Sequence, residues 1–341
     1  MKAWVLRKGA TSLDALELIE RVMPQPKAGE VLIRVRACSL NYRDQAMVRG
    51  VYIGGPVAED IVPLSDGAGE IAALGEGVTR FAVGDRVAGI FFQNWFDGPP
   101  HPAMGPALGA SGAEGMLAEY VCLPAEGVVR MADSLSFEEA ACLPCAGVTA
   151  WNALMAGARP VAAGQSVLVL GTGGVSLLAL QIAKAAGAKV IATSSSDAKR
   201  ARVSALGADD TINYRDTPDW GAQAARLTGQ LGHGGVDHVV EVGGAGTLAQ
   251  SIAAVGFGGE IALIGVLTRE GDTSPHGLML KGASIRGIFV GSRRMAEDLN
   301  AFVDAHGIKP VVDKVFAFED AKQAWAYPSS PELFGKTIIT V

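Results

Sequence analysis

VLVLGTGGVS at residues 167–176 is the stretch that decides the fold. A short apolar run rich in Val and Leu meets a glycine cluster, and helix-forming residues with apolar spacing follow to residue 186. This order predicts a strand, a tight turn and a helix. At such a turn the free backbone N–H groups and the helix dipole both favour negative charge, so the pattern indicates binding of a dinucleotide pyrophosphate.

The small residues of this turn have separate expected roles. Gly171 is expected to take the turn, and Gly173 to let the backbone approach the phosphates. Ser176 replaces the third glycine of the motif, and we expect this small side chain still to allow close packing of the helix on the strand. A lone motif is weak, but a second strand at 189–193 completes a βαβ unit. An ordinary glycine-rich α/β turn is the alternative.

Strands and helices alternate from about residue 147 to residue 290, which predicts a parallel, doubly wound sheet. The expected strands lie at 167–170, 189–193, 211–213, 236–240, 260–265 and 284–289, with helices such as 174–186 and 197–205 between them. Residues 1 to about 125 are β-rich instead. A helix near 295–306 and a last strand at 337–341 follow, and that strand is expected to pair with the N-terminal domain.

The composition narrows the function classes. The net charge is −6 and no basic cluster is present, which argues against a nucleic-acid partner. The N-terminus has no apolar signal region. The uncharged stretch at 166–183 has a glycine cluster in its middle, so we do not interpret it as a membrane span. We expect a soluble, cytoplasmic protein with no membrane partner.

Four cysteines are too few for a disulfide scaffold. Cys142 and Cys145 do form a CxxC pattern. A redox role is one interpretation. Residues 137–141 are predicted to form a packed helix, which favours two unreactive thiols on the apolar side of that helix.

Several motifs run through nearly the whole chain and resemble the medium-chain dehydrogenase/reductase superfamily. They include NYRD at 41–44, DGAGE at 66–70, VGDRV at 83–87, LPCAGVTAW at 143–151 and LGAD at 206–209, besides the glycine turn. Within the superfamily the chain is most similar to the zinc-independent branch, which is quinone oxidoreductase-like or zinc-less alcohol dehydrogenase-like. The resemblance implies a GroES-like catalytic domain at 1–146 and 291–341, and a Rossmann dinucleotide-binding domain at 147–290.

The resemblance also bears on metal binding. Catalytic zinc requires three protein ligands and an open position. Of the positions that hold these ligands in zinc-containing members, only Cys145 carries a ligand side chain, because Asn41 and Ser65 occupy the other two. We therefore expect no zinc, with Cys145 as a small apolar part of the pocket wall.

The choice of cofactor depends on the end of the second strand. An acid about 20 residues after the glycines binds the ribose 2′-OH and repels a 2′-phosphate. TSSS stands there at 193–196, and Asp197 comes late, so NADPH is favoured over NADH. By resemblance, Ser194 and Lys199 would contact the 2′-phosphate, with Tyr214 beside the ribose or adenine. A solvated helix face is the alternative for Lys199.

The resemblance implies further cofactor contacts. Backbone groups of residues 264–266 and 289–291 would meet the nicotinamide amide. With these, the expected contacts are Thr149, Gly171, Thr172, Gly173, Gly174, Val175, Val242, Gly243, Ile264, Gly265, Val266, Phe289 and Val290.

Without a Lewis acid a plain ketone is hard to polarise, whereas quinones, enones and enals delocalise incoming charge. We therefore expect an oxidoreductase that transfers hydride from NADPH to a quinone or an α,β-unsaturated carbonyl. The expected catalytic residues are Asn41, Tyr42 and Asp44. Asn41 and Tyr42 would donate hydrogen bonds to the substrate oxygen. Tyr42 is either the proton donor or simply part of the pocket wall.

Three other functions stay open from the sequence. They are a zinc-free NAD(P)-dependent alcohol dehydrogenase or ketone reductase, a nucleotide-binding structural or regulatory protein, and a redox sensor based on the CxxC. A homodimer is expected, because by resemblance the late strands at 259–264 and 284–289 would pair across a two-fold axis and cover an open sheet edge.

Overall fold

The computed structural model describes residues 1–229, 234–265, 267–268, 270–271 and 273–341. The chain divides into two compact units. Unit 1 contains Met1–Val148 and Gly291–Val341, and unit 2 contains Thr149–Val290. Their roles as catalytic and dinucleotide-binding domains, with the boundaries given above, stay a prediction.

The first part of unit 1 is rich in strands. Its elements are β1 (Lys2–Leu6), β2 (Leu16–Glu20), β3 (Glu30–Ser39), α1 (Tyr42–Val48), β4 (Asp66–Leu74), β5 (Arg86–Gly89), β6 (Tyr120–Pro124), β7 (Val128–Arg130) and α2 (Phe137–Ala140). A π-helical segment, Leu143–Gly147, follows. β3 alternates over residues 33–37, with Ile33 and Val35 buried and Arg34 exposed. This period of two buries one face of the sheet.

Unit 2 alternates helices and strands. Its elements are α3 (Val148–Met155, whose first residue belongs to unit 1), β8 (Ser166–Leu170), α4 (Gly174–Ala185), β9 (Lys189–Ser194), α5 (Asp197–Ala205), β10 (Asp210–Asn213), α6 (Trp220–Leu227), β11 (Val236–Glu241), α7 (Ala245–Ala254), β12 (Val255–Leu263), α8 (His276–Lys281) and β13 (Ser284–Gly287).

The chain then returns to unit 1 with α9 (Arg293–His306), β14 (Val312–Ala317), α10 (Ala321–Ala326) and β15 (Lys336–Thr340). As expected, the last strand pairs with the N-terminal sheet: β15 is antiparallel to β3 and parallel to β14. The main sheet of unit 1 has the order β14-β15-β3-β4-β5-β7, and β6 also pairs with β3.

The sheet of unit 2 has the order β10-β9-β8-β11-β12-β13, with every pair parallel. Counted within the unit this is 3-2-1-4-5-6, the order of a doubly wound dinucleotide-binding sheet. The predicted combination of this sheet with a separate β-rich unit is confirmed. β8 and β11 are buried at every residue, as strands are when helices cover both sheet faces.

Three predicted strand boundaries were wrong, both ends of 260–265 and the end of 284–289. β12 begins at Val255, directly after α7, and ends at Leu263. Beyond its end, the backbone N–H groups of Ile264 and Gly265 share the carbonyl of Glu241, both at 2.9 Å, so Gly265 does not advance along β11. β13 ends at Gly287, and Val290 beyond it adopts a left-handed φ of 55° that a strand does not accommodate. In the part of the chain that the structure describes, no helix is long and apolar enough to cross a membrane.

Candidate functional site

The glycine turn of unit 2 leaves open space beside the backbone. Gly171 has a φ of +73°, and its N–H donates to the carbonyl of Thr193 at 3.0 Å, which fastens the turn to β9. Gly173 caps α4 with an ordinary φ of −79°. Apart from residues 172–174 themselves, no described atom lies within 4 Å of the place where a Cβ on Gly173 would stand. Neither conformation nor packing therefore requires glycine at 173, whereas a close-lying ligand would.

The N-terminus of α4 suits a pyrophosphate. The helix has twelve residues and no acidic side chain in its first turn, and its first N–H groups have no partner within the helix. Thr172 is buried beside it, and Gly174 and Val175 begin the helix. The hydroxyl of Ser176 donates to the carbonyl of Leu170 at 2.6 Å. Serine here adds a bond between helix and strand that a glycine would lack.

The strand order reverses between β8 and β11, and ligands of such sheets bind outside the strand ends at that point. Val242 and Gly243 follow β11 there. Their turn is held by Glu241, a fully buried residue that the sequence reasoning missed. Its carboxylate accepts hydrogen bonds from the N–H groups of Gly243 and Gly244, at 2.7 and 2.9 Å, and from Thr247 and Ser251.

Ile264 and Gly265 lie next along the same sheet edge, after β12. A Cβ on Gly265 would stand 1.9 Å from the carbonyl carbon and oxygen of Val242, so only glycine allows these two turns to pack together. Val266 lies outside the described residues.

The end of β9 lies on the other side of β8. Ser194 pairs in register with Asn213, and its carbonyl accepts the N–H of Tyr214 at 3.1 Å. Lys199 is in the first turn of α5. Asp197 is bonded to Arg200 at 2.8 Å and to Asn213 at 3.2 Å, and these two hydrogen bonds lower the pKa of its carboxyl. Asp197 thus supports the packing of α5 on β10.

Phe289, Val290 and Thr149 belong to the far side of unit 2. The carbonyl of Val290 accepts the side-chain amide of Asn152 at 2.7 Å, which ties α3 to the segment after β13. Thr149 is buried one turn earlier in α3, and Phe289 is 44% exposed. The structure thus brings residues 171–175, 242–243 and 264–265 to neighbouring strand ends, with Ser194 and Tyr214 on one flank and Phe289 and Val290 on the other.

The predicted catalytic residues of unit 1 begin α1. The backbone N–H of Asn41 donates to the Asp44 carboxylate at 2.7 Å. Burial raises the pKa of Asp44 to about 6, against the opposing effects of Arg43 and the Asn41 N–H. Tyr42, the first helical residue, is 48% exposed. Asp44 therefore fixes the helix start. Asn41 is half-buried and Tyr42 is exposed.

Arg43 is buried despite its charge. Its guanidinium lies 4.9 Å from the ring centre of Phe91 and 5.3 Å from that of Tyr52. One nitrogen donates to the carbonyl of Leu108 at 3.0 Å and lies 3.5 Å from the Asp44 carboxylate. The guanidinium thus fastens α1 to the loop that carries Leu108.

Lys336, at the start of β15, is a further site residue that the sequence reasoning missed. Its ammonium donates to the carbonyl of Leu40 at 2.6 Å and to Oδ1 of Asn41 at 2.5 Å, and lies 3.8 Å from the Asp66 carboxylate. Both charged side chains are almost fully buried. We call Lys336, Asn41, Arg43, Asp44 and Asp66 the buried charge cluster. Asn41 and Lys336 are 295 residues apart, so no local pattern joins them.

The side chains of unit 1 that could bind a metal are few. Among the described residues, no three or more His, Cys, Asp or Glu side chains are grouped so that they could hold an ion. Cys145 has lysine, arginine and carboxylates around it, and burial raises the pKa of its thiol far above the usual range. Burial likewise raises the pKa of Cys142 to about 12, which is unlike a reactive redox thiol.

Known protein families match both halves of the chain. Residues 27–133 match the alcohol dehydrogenase GroES-like domain, and residues 174–305 match a family described as zinc-binding dehydrogenase. A zinc-type alcohol dehydrogenase-like protein of Schizosaccharomyces pombe is 45% identical over 99% of each chain. A quinone oxidoreductase of Sus scrofa is 29% identical over 89% of this chain and 86% of that protein.

Solved structures give the same grouping. A crystal structure described as a putative alcohol dehydrogenase from Sinorhizobium meliloti is 41% identical, with a TM-score of 0.89 and full coverage of both chains. One described as an NAD-dependent alcohol dehydrogenase is 34% identical, with a TM-score of 0.88 and full coverage.

Proposed function

Because this chain belongs to the medium-chain dehydrogenase/reductase superfamily, we propose that it reduces a quinone or an α,β-unsaturated carbonyl compound with NADPH and without zinc. The relatives indicate that the chain is an oxidoreductase that uses a nicotinamide cofactor and acts on a small molecule. The proposals on NADPH, zinc independence and substrate class rest on the residues of each unit.

The observation that carries the cofactor proposal is the open space at Gly173. It lies at the N-terminus of a twelve-residue helix, where the strand order reverses. These features suit a pyrophosphate. Bound there, the cofactor would supply hydride from its nicotinamide ring. The buried Glu241 carboxylate keeps the adjoining turn in place through its backbone bonds.

NADPH is proposed over NADH because of what stands at the end of β9. Ser194 occupies the strand end, and the nearby acid, Asp197, is engaged by Arg200 and Asn213. A carboxylate that would repel a 2′-phosphate is therefore not presented by these residues. Ser194, Lys199 and Tyr214 are the proposed contacts of the adenosine end.

Zinc independence is supported by the donor chemistry of unit 1. The chain's own cation, Lys336, already occupies the Asn41 oxygen that a metal would need. A site that has no metal to polarise a carbonyl group favours substrates that delocalise the incoming negative charge, as quinones and enones do. Asn41 is proposed to donate a hydrogen bond to the substrate oxygen.

Tyr42 is the proposed proton donor. In an enone, hydride adds to the β-carbon, the double-bond electrons move toward the oxygen, and a proton must then reach the α-carbon. Tyr42 lies next to Asn41 and is half exposed, so its hydroxyl is accessible. A Tyr42→Phe variant is expected to lose kcat for 2-cyclohexenone while its affinity for NADPH is unchanged. An unchanged kcat would leave Tyr42 as pocket wall.

The reaction proposal is tested by a turnover panel. We expect NADPH-dependent reduction of 2-cyclohexenone and 1,4-benzoquinone that EDTA does not affect. Oxidation of 2-butanol with NADP⁺ is expected to be much slower. Faster turnover of 2-butanol, still unaffected by EDTA, would contradict the substrate proposal and favour a zinc-free alcohol dehydrogenase. That second candidate has support from the similar structure described as an NAD-dependent alcohol dehydrogenase.

A homodimer is proposed through β13, the edge strand of the unit 2 sheet. Ile285 on this strand is 36% exposed, and Met279 and Leu280, just before it, are 69% and 72% exposed. An open edge with apolar neighbours favours pairing with a second copy. Ile285→Lys is expected to give a monomer by light scattering, with Lys314→Met as a control on an exposed residue of unit 1. An unchanged mass for Ile285→Lys would contradict pairing at β13.

A further inference from the structure

The oxygen and the nitrogen of the Asn41 side-chain amide differ in their hydrogen bonding. Its oxygen Oδ1 accepts the Lys336 ammonium at 2.5 Å. Its nitrogen Nδ2 is buried and finds no hydrogen-bond partner among the residues that the structure describes. A buried N–H without a partner costs about 1–3 kcal/mol. A buried polar group without a protein partner calls for a water, an ion or a ligand to satisfy it. In the same cluster Nε and Nη2 of Arg43 and Oδ1 of Asp44 share this condition.

Lys336 decides which end of the amide is left over. An ammonium group has three donors and no acceptor, so only the amide oxygen can face it. If Lys336 were neutral and apolar, the amide could turn by 180° at little cost. The ammonium is in turn held by the Leu40 carbonyl and faces Asp66, whose carboxylate accepts the hydroxyls of Ser65 and Ser39 at 2.8 and 3.3 Å.

The cation also changes the strength of the remaining donor. A positive charge on the amide oxygen draws electron density from the nitrogen, and in a buried setting this polarisation is little screened. The Nδ2 hydrogens therefore become better donors to an oxygen that gains negative charge. Donors fixed in advance at the place where charge develops are the usual means of stabilising such a transition state.

We propose that Lys336 is a positioning residue: it fixes the Asn41 amide so that Nδ2 donates to the carbonyl oxygen of the substrate. The inference rests on the proposed function only in taking a carbonyl compound as the ligand. Lys336 acts through Asn41 and does not itself touch the substrate.

In the test, cyclohexanone is titrated by calorimetry into the full chain saturated with NADP⁺. The oxidised cofactor has no hydride to give, so this ketone binds without being reduced. Asn41→Asp keeps an oxygen toward Lys336 and removes the N–H donor. Lys336→Met removes the cation, and Lys336→Arg keeps it. We expect about tenfold weaker binding of cyclohexanone in Asn41→Asp and Lys336→Met, and partial recovery in Lys336→Arg. Lys314→Met, on the neighbouring strand β14, is the control and is expected to bind as the wild type does.

A double-variant cycle separates positioning from general structural support. If Lys336 acts through Asn41, the Asn41→Ala/Lys336→Met pair binds cyclohexanone no more weakly than Asn41→Ala alone. The inference would be overturned if the losses of affinity in Asn41→Ala and Lys336→Met multiplied in the double variant. Unchanged binding in Lys336→Met, or no binding of cyclohexanone by the wild type, would overturn it as well. Binding that follows the expected pattern, without turnover of 2-cyclohexenone or benzoquinone, would instead reject the proposed reaction and leave the inference standing.

Discussion

The glycine turn of unit 2 and the buried charge cluster of unit 1 supply binding groups in different ways. At the turn the backbone is presented and side chains are absent, with open space beside Gly173. In the cluster, two cations and two carboxylates are buried around one amide. The turn is a continuous piece of sequence, whereas the cluster joins residues from three separate parts of the chain. A backbone site made of consecutive residues can therefore be predicted from sequence as a whole, whereas a side-chain site joined from distant segments can be predicted only in part.

The largest expected effect tests whether the backbone site depends on one buried side chain. Glu241→Ala removes the acceptor for two backbone N–H groups and two hydroxyls. Leaving these donors buried should lower the free energy of unfolding by about 3 kcal/mol or more. Glu241→Gln keeps one acceptor oxygen and should lose much less. Urea unfolding measures both, and equal small losses would show that the turn holds without this carboxylate.

The next effect concerns charge burial in unit 1. Because burial raises the pKa of Asp44 to about 6, above the ordinary 3.8, the folded protein binds an extra proton between these values. Stability from this group is therefore greatest at low pH and falls as pH rises from about 4 to 6, by up to about 3 kcal/mol. A neutral amide at this position would carry no such dependence, so the Asp44→Asn variant should gain stability relative to the wild type across this window.

Asp209, a carboxyl of unit 2, has a pKa shift opposite in direction to that of Asp44. Burial opposes ionisation of Asp209, but Lys184 and the Val190 N–H outweigh it and lower the pKa of the carboxyl. Its contribution is present at neutral pH and is lost as pH falls through the folded pKa. Asp209→Asn should therefore lose stability relative to the wild type as pH rises. Urea midpoints from pH 2.5 to pH 7 check both variants, because the Asp209 effect lies below about pH 4 whereas the Asp44 effect lies above it. Slopes of the same sign would contradict the opposite pKa shifts of the two carboxyls.

The smallest effect is at Ser176. Ser176→Ala loses the bond to the Leu170 carbonyl and should be less stable by about 1 kcal/mol. Ser176→Gly should lose about 1 kcal/mol more from helix propensity. NADPH affinity should not rise in either variant. A tighter complex in Ser176→Gly would mean that serine loosens the contact between helix and strand.

The sequence was sufficient for the doubly wound sheet and its glycine turn because apolar runs, glycines and helix formers lie in order along a few dozen residues. It singled out Asn41 and Asp44, which share one helix start, as candidate catalytic residues, and that role stays a prediction. It missed Lys336, a lysine at the head of an apolar strand, since only the pairing of β15 with β3 brings it to Asn41. It also missed Glu241, whose role depends on donors fixed by the turn that follows β11.

Binding of NADPH at the open glycine turn of unit 2 can be measured by equilibrium titration of NADPH and NADH. The wild type, Gly173→Ala and Gly287→Ala would be compared, since Gly287 has similar free space but ends the edge strand β13. We expect tighter binding of NADPH than of NADH, and about tenfold weaker NADPH binding in Gly173→Ala only. Equal or tighter binding of NADH, or wild-type affinity in Gly173→Ala, would contradict this expectation.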